Sequence, residues 1–335
     1  MPRDRPRLGH ALGMAPRIDP ALPLVWRTPT DVQLGATTAR VVLRDAGDLE
    51  IGLISALRHG ASIETLRTIG TGLGGAVVDV ERVLAALEPA FEPMSEVRLD
   101  AGAPAGSRAE SPSTRSGSRA ARVPRLVMVD ADGVLGERLV ADLTALGYHV
   151  TVPPSVDGRL HDQDAAVDPA LAIVAATWAI PPSRHLPWLR RDVPHLAVVF
   201  DDTGARVGPL VEPGDGPCLR CLDLGRRDAD PAWPVIAAQL AGRPAATATT
   251  RAGLEAAALA IALVDDRLVH GSMAMADASL MLSRERPAGF PRRLRHAPHP
   301  ECGCRSPGGT ATAPVHLGVR RRREAGSAST GAVPA

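Results

Sequence analysis

The sequence predicts an α/β protein with a mostly parallel sheet, preceded by a smaller α+β module. Three observations carry this reading: apolar strands alternating with helical patterns from residue 126 onwards, two close cysteine pairs far apart in the chain, and a stretch poor in large apolar residues that divides the 335 residues in two. Hydrophobic residues make up 45% and charged residues 22%, the balance of a soluble globular chain. Four Trp, three Phe and one Tyr are the only aromatics, so the cores must be built from Leu, Val, Ile and Ala. All 38 basic residues are Arg and none is Lys; 37 acids bring the formal charge to +1, which offers no bulk attraction to nucleic acid or anionic lipid.

The dividing stretch is rich in Ala, Gly, Ser, Pro and Arg and cannot bury enough surface to offset its ordering entropy. A flexible linker is expected over 95–123, between a module at 19–94 and a larger domain at 124–305, with disordered ends at 1–18 and 306–335. No apolar stretch of signal-peptide length follows the basic start, and the longest apolar stretch, Ala256 to Val264, is too short to cross a bilayer. With four Cys suited to a reduced compartment, a cytoplasmic protein with no membrane partner is expected.

In the module, Val32 to Leu34 and Ala39 to Leu43 read as a β-hairpin. Asp48 is placed to cap a helix carrying Leu49, Leu53, Ile54 and Leu57, which Gly60 stops. Ser62 starts a second helix, with Ile63, Leu66 and Ile69 inward. A third begins near Asp79, with Val80, Val83, Leu84 and Leu87 at the spacing of one buried face. Strands followed by three short helices resemble a winged-helix module. The third helix carries Asp79, Glu81 and Glu88 against Arg82 alone, so phosphate would repel it and nucleic acid is not the expected partner. A packing module without a ligand and a peptide that adds as a strand beside Val41, Val42 and Leu43 are the other readings.

The larger domain opens with strand Leu126 to Asp130, a helix through Leu139, Leu143 and Leu146 that Gly147 ends, and strand Tyr148 to Val152. This is the βαβ start of a Rossmann-like fold, with Ala131, Gly133 and Gly136 standing where a dinucleotide fingerprint has three glycines. A methyl group at the first position crowds the turn that brings backbone amides to phosphate. Nucleotide binding is therefore expected to be weakened or lost while the fold survives. Strands over Leu171 to Ala176, Leu196 to Phe200 and Arg206 to Val211 follow, with a helix over Ser183 to Arg191. Asp230 and Pro231 then start a helix to about Leu240. A long helix from Thr249 or Thr250 to Leu268 and a hairpin of Ala278 to Leu282 with Arg292 to Leu294 complete the domain.

Cys218 and Cys221 form C-x-x-C, and Cys302 and Cys304 form C-x-C. Four thiolates satisfy tetrahedral Zn²⁺ with no position left for water, which makes a structural site. Unligated buried thiols are one alternative. Redox chemistry is another, disfavoured because a thioredoxin-like motif should open a helix after a strand and needs no second pair. His296 and His299 lie near the second pair in sequence and are expected to be solvated.

These features together resemble the ThiF, or ubiquitin-activating, family over about 124–305. The G-P-C-L-R-C-L segment at Gly216 to Leu222 and the distal Cys pair are the most specific part. The resemblance implies zinc ligation by Cys218, Cys221, Cys302 and Cys304, and a homodimer. Active members adenylate the C-terminal carboxylate of a small protein with ATP and Mg²⁺. Here no Lys is available for the nucleotide site, and Ala175-Ala176-Thr177-Trp178 stands where acidic residues are expected. Asp157 is a poorly placed candidate for a ribose contact, and Arg138 or Arg184 would be a poor substitute for a point charge. The losses argue against adenylation. A winged-helix-like module ahead of a degenerate ThiF-like domain resembles the partner proteins of thiazole- and oxazole-modified peptide biosynthesis. That implies a scaffold that binds a precursor leader peptide and docks a cyclodehydratase-type enzyme. An active adenylyltransferase and a DNA-binding regulator are the alternatives.

Overall fold

A computed structural model of the chain describes residues 15–92, 125–153, 168–284 and 290–305. The segments read as linker (95–123) and C-terminal tail (306–335), all but the last four residues of the N-terminal segment, and Asp157 lie outside the described residues.

In the N-terminal part, β1 (Leu24–Trp26), β2 (Val32–Leu34) and β3 (Val41–Leu43) form an antiparallel sheet in that order, and α1 (Asp48–His59), α2 (Ile63–Gly72) and α3 (Val77–Leu87) follow. The expected hairpin is present. β1 joins it as a third strand beyond the expected hairpin. Asp48 does not cap α1. Gly47 takes that position, its amide donating to Glu50 Oε2 at 3.0 Å. Ser62 does cap α2, accepting from the Thr65 amide at 3.1 Å. The third helix starts two residues before Asp79, whose carboxylate instead accepts from the Ala76 amide. Leu53, Ile54, Leu57, Leu66, Val80, Val83, Leu84 and Leu87 pack against Val32, Leu34 and Val41 as one buried core. Ile18, at the end of the N-terminal segment, is buried in that core and bridges Phe91.

The larger part runs β4 (Leu126–Asp130), α4 (Gly133–Ala145), β5 (His149–Thr151), β6 (Leu171–Thr177), α5 (Pro182–Arg190), β7 (His195–Asp201), β8 (Gly204–Val211), α6 (Leu219–Ala229), α7 (Trp233–Leu240), α8 (Thr250–His270), β9 (Ala278–Ser283) and β10 (Arg292–Arg295). The seven strands lie in the order β10-β9-β8-β7-β6-β4-β5. Strands β5, β4, β6 and β7 are parallel, and β7 through β10 are antiparallel neighbours. This mixed sheet fits a Rossmann-like domain, with the order reversing between β4 and β6.

Alternation along the strands divides the core in two. Val127, Val129, Val198, Phe200, Ala205 and Val207 face a cluster built with α4, α7 and α8, where Ala256, Ala257 and Ala260 let the long helix approach closely. Met128, Ala172, Val174, Ala197 and Val199 face a second cluster that holds Trp188 of α5 and the cysteines. Helix α6 is not anticipated from the sequence: its segment, LRCLDLGRRDA, is polar on average, and its apolar side is short, carried by Leu219, Cys221 and Leu222. Helix α7 starts two residues later than expected: Asp230 is outside it, accepting from the Ala232 amide at 3.0 Å.

The two parts are tied together at several points. Val25 of β1 and Ala36 of the segment joining β2 to β3 lie within the α4/α8 core. Arg27 donates to both carboxylate oxygens of Asp230 at 2.6 and 2.7 Å, and Arg284 pairs with Asp19. Gln239 of α7 closes the outer edge of β1, accepting from the Trp26 amide at 2.8 Å and donating to its carbonyl at 2.7 Å.

Candidate functional site

The four cysteines converge on one point. Strand β8 leads away from the carboxyl ends of the parallel strands into a turn containing Gly214 and Gly216, both at positive φ (79° and 71°), which bends the chain into Cys218. Cys218 is the N-cap of α6, and Cys221 lies in its first turn. The segment after β10 returns with Cys302 and Cys304. All four Sγ atoms lie within 4.8 Å of one another. The separations are 3.9 Å for Cys218–Cys221, 3.6 Å for Cys218–Cys302 and 3.5 Å for Cys221–Cys304. Zn–S bonds of about 2.3 Å at tetrahedral angles require edges of roughly 3.8 Å, and these three separations lie close to that value.

The electrostatics favour a cation there. Burial pushes the Cys218 thiol well above its ordinary range and the Cys304 thiol up to about 11. Cys221 is also buried, but the His299 and Cys218 backbones and the neighbouring thiols outweigh that burial and hold it low. A bound dication would deprotonate all four. The helix start adds to this, since the first turn of α6 presents its amide ends to Cys218 and Cys221. The donor set can hold a metal such as zinc. C-x-x-C does open a helix after a strand here, which removes one of the two objections to redox chemistry; the second pair, in thiol contact with the first, remains the other.

Neither nearby histidine joins the cluster, and neither is simply solvated. His299 Nε2 is 2.8 Å from Asp228 Oδ2, and His296 Nε2 is 2.8 Å from Ser279 Oγ. Arg227 bonds both Asp228 and Glu301, so ion pairs tie α6 to the segment that carries the distal cysteines.

The opposite end of the sheet holds the degenerate loop. Gly133 has φ of 60° and opens α4. Gly136 has no room for a side chain, because a Cβ would stand 2.2 Å from the Ala131 carbonyl oxygen. The Ala131 methyl is packed against the α4/α8 core. The turn thus accommodates its first-position side chain by turning it into the core.

Arg184, Arg138 and Asp202, three groups that could serve a phosphate or a metal at this end, already have partners within the chain. Arg184 donates to Asp130 Oδ2 at 2.8 Å and to the Asp130 carbonyl at 3.1 Å, and Arg138 is bonded to Asp142 on the surface of α4. At the end of β7, Asp202 is buried and accepts from the Ala36 amide at 2.5 Å and the Thr37 amide at 3.1 Å. Burial raises its pKa even so. At the end of β6, Trp178 is 4% exposed and has φ of 67°, a conformation costly for a bulky side chain. Its amide donates to the Phe200 carbonyl at 2.7 Å and its indole N–H to the Arg243 carbonyl at 3.0 Å.

The third candidate group is β3. Val41 is buried, Val42 is 41% exposed and Leu43 is intermediate. Among the described residues β3 has one strand partner, β2, so its outer edge is the open edge of the small sheet.

No family model matches the chain, and no curated protein matches it. Solved structures do. The heterocyclase TruD is 18% identical with a TM-score of 0.36, over 87% of this chain and 43% of that one. A heterocyclase in complex with substrate and cofactor is 15% identical with a TM-score of 0.40, over 87% and 39%. MccB of E. coli with AMPCPP and MccA is 11% identical with a TM-score of 0.43, over 87% and 99%. The chain thus spans about two fifths of the length of the two heterocyclase chains. Among the described residues, no helix is long and apolar enough to cross a membrane.

Proposed function

We propose that this protein is a non-catalytic ThiF-like scaffold, stapled by a structural zinc ion on Cys218, Cys221, Cys302 and Cys304. Its winged-helix-like N-terminal module captures a precursor leader peptide, and the larger domain docks a cyclodehydratase-type modifying enzyme. The observation that carries the reading is the contrast between sheet edges. Gln239 occupies the β1 edge, while β3 offers an edge with Val42 exposed beside it. An extended peptide gains main-chain hydrogen bonds at such an edge and side-chain specificity from alternate positions. The segment joining β2 to β3 is held by Asp202 of the larger domain, so a peptide on β3 would be positioned relative to whatever enzyme that domain binds.

The absence of catalysis is supported by the partnered state of Asp130, Arg184 and Asp202 and by the lack of Lys in the chain. Phosphoryl chemistry depends on charge free to meet developing charge, and these groups are committed elsewhere.

Fluorescence anisotropy with labelled leader peptides, taken from precursor genes adjacent to this one, tests the reading. Saturable binding is expected, weakened at least about tenfold by Val42→Glu, which places a charge at the open edge without disturbing the core. Pyrophosphate exchange with ATP would replace the scaffold reading by the adenylyltransferase one. Salt-dependent binding to duplex DNA would replace the peptide reading by the regulator one.

A further inference from the structure

Arg206 is the buried charge that the fold leaves unexplained. It lies within β8, opposite Val199 of β7 and Met281 of β9. Val198, Phe200, Ala205 and Val207 belong to the α4/α8 core, so alternation turns Val199, Asp201 and Arg206 to the other face. There Arg206 is only 7% exposed, and its guanidinium has no side-chain hydrogen bond or ion pair among the described residues. A guanidinium carries five N–H donors, and one this shielded, with no acceptor from the protein, is left with donors that a ligand can use.

Its surroundings are specific. Asp201 is the diagonal cross-strand neighbour on the same face. Its Oδ1 accepts from the Thr203 amide at 2.9 Å and from the Thr203 hydroxyl at 2.5 Å, but its Oδ2 is buried with no partner. Arg226 of α6 sits over the Trp233 ring at 4.7 Å and 3.7 Å from Asp223. His296 completes the group through Ser279. Arg206 and Arg226 are close enough to repel, while Asp201 and Asp223 attract Arg206 without touching it. Burial and then Arg226 push the Arg206 pKa down to about 9.

A ligand that suits this arrangement must accept hydrogen bonds from Arg206, offset its repulsion with Arg226 and donate one hydrogen bond to Asp201 Oδ2. Chloride cannot donate. Sulfate and carboxylates carry no proton at neutral pH. A phosphate group with its second pKa near neutrality carries both the acceptor oxygens and the O–H. We propose that Arg206, Asp201 and Arg226 form a site for a single hydrogen-phosphate group, on the sheet face that also packs against the cysteine cluster. This inference does not depend on the peptide-scaffold reading.

Thermal unfolding of the full-length, zinc-loaded protein tests it, with millimolar inorganic phosphate, glycerol phosphate, sulfate or chloride at matched ionic strength. Inorganic phosphate or the ester is expected to raise Tm by several degrees more than sulfate, and the larger response identifies whether the group is free or esterified. Arg206→Gln should abolish the response, and Asp201→Asn, which supplies its own N–H donor, should bring sulfate up to the level of phosphate. Equal responses to phosphate and sulfate in the native sequence, or an unchanged response in Arg206→Gln, would overturn the proposal. Should the variants not fold, phosphorus-31 line broadening of inorganic phosphate by the native protein decides directly, and its absence counts against the site.

Discussion

The two ends of the large sheet have opposite characters. At the end reached by the turn after β8, four thiols crowd within 4.8 Å of one another, burial opposes the ionisation of Cys218 and Cys304, and a cation would relieve it. At the other end, the two carboxylates beside the degenerate loop and the small sheet are satisfied by the chain itself: Asp130 by Arg184, and Asp202 by the amides of Ala36 and Thr37. Trp178 packs into the same region in a costly backbone conformation. Residue type alone does not separate a site from its remnant. Whether a polar group already has a partner does.

The largest effect that would break this comparison is on the metal. Cys218→Ser should reduce zinc from near one per chain to a small fraction and lower stability by several kcal/mol, since metal-binding energy in a structural site is folding energy. Metal analysis and thermal unfolding check both. A metal-free protein with an unchanged melting temperature would remove one half of the contrast.

Next in size is Trp178→Ala. Removal of a buried Trp should cost about 3–5 kcal/mol in denaturant unfolding. It should confer no ATP affinity, because Asp130 and Asp202 keep their partners.

A third effect concerns pH. His185 and His195 are fully buried, their rings 6.4 Å apart, and burial lowers both pKa values from 6.5 to about 4. The folded state therefore favours the neutral rings. Their contribution is complete above about pH 6.5 and is lost as pH falls from there to about 4, by about 3 kcal/mol each. His195→Leu should flatten the stability profile in that window, as followed by chemical denaturation at fixed zinc content.

Smaller still, Asp202→Ala should cost about 1–3 kcal/mol by leaving the Ala36 and Thr37 amides without their acceptor. It should also loosen the small sheet, read as faster amide exchange over residues 32–43. Arg138→Ala, which breaks an exposed pair on α4, should cost no more than about 0.5 kcal/mol.

Much of this architecture is legible in the sequence where the signal is local and strong. The βαβ start at Leu126, the long Ala-rich helix and the hairpin before Cys302 appear where apolar periodicity and capping residues place them. The cysteine cluster is legible because two tight pairs are an unusual pattern whose chemistry has few solutions. Helix α6 is less legible: its apolar side is limited to Leu219, Cys221 and Leu222, and ion pairs through Arg227 add to its anchoring. The docking of Ala36 and Thr37 onto Asp202 is equally invisible, since it joins residues 165 and 166 positions apart. Arg206 is hidden for a related reason. In the sequence it is one more Arg at a strand position, and only the register reveals that alternation buries it.

Native mass spectrometry of the purified protein with zinc, Mg²⁺ and millimolar ATP tests the contrast between the two ends most directly. One zinc per chain, lost in Cys218→Ser, and no bound nucleotide are expected. A chain that carries ATP and magnesium would contradict that contrast.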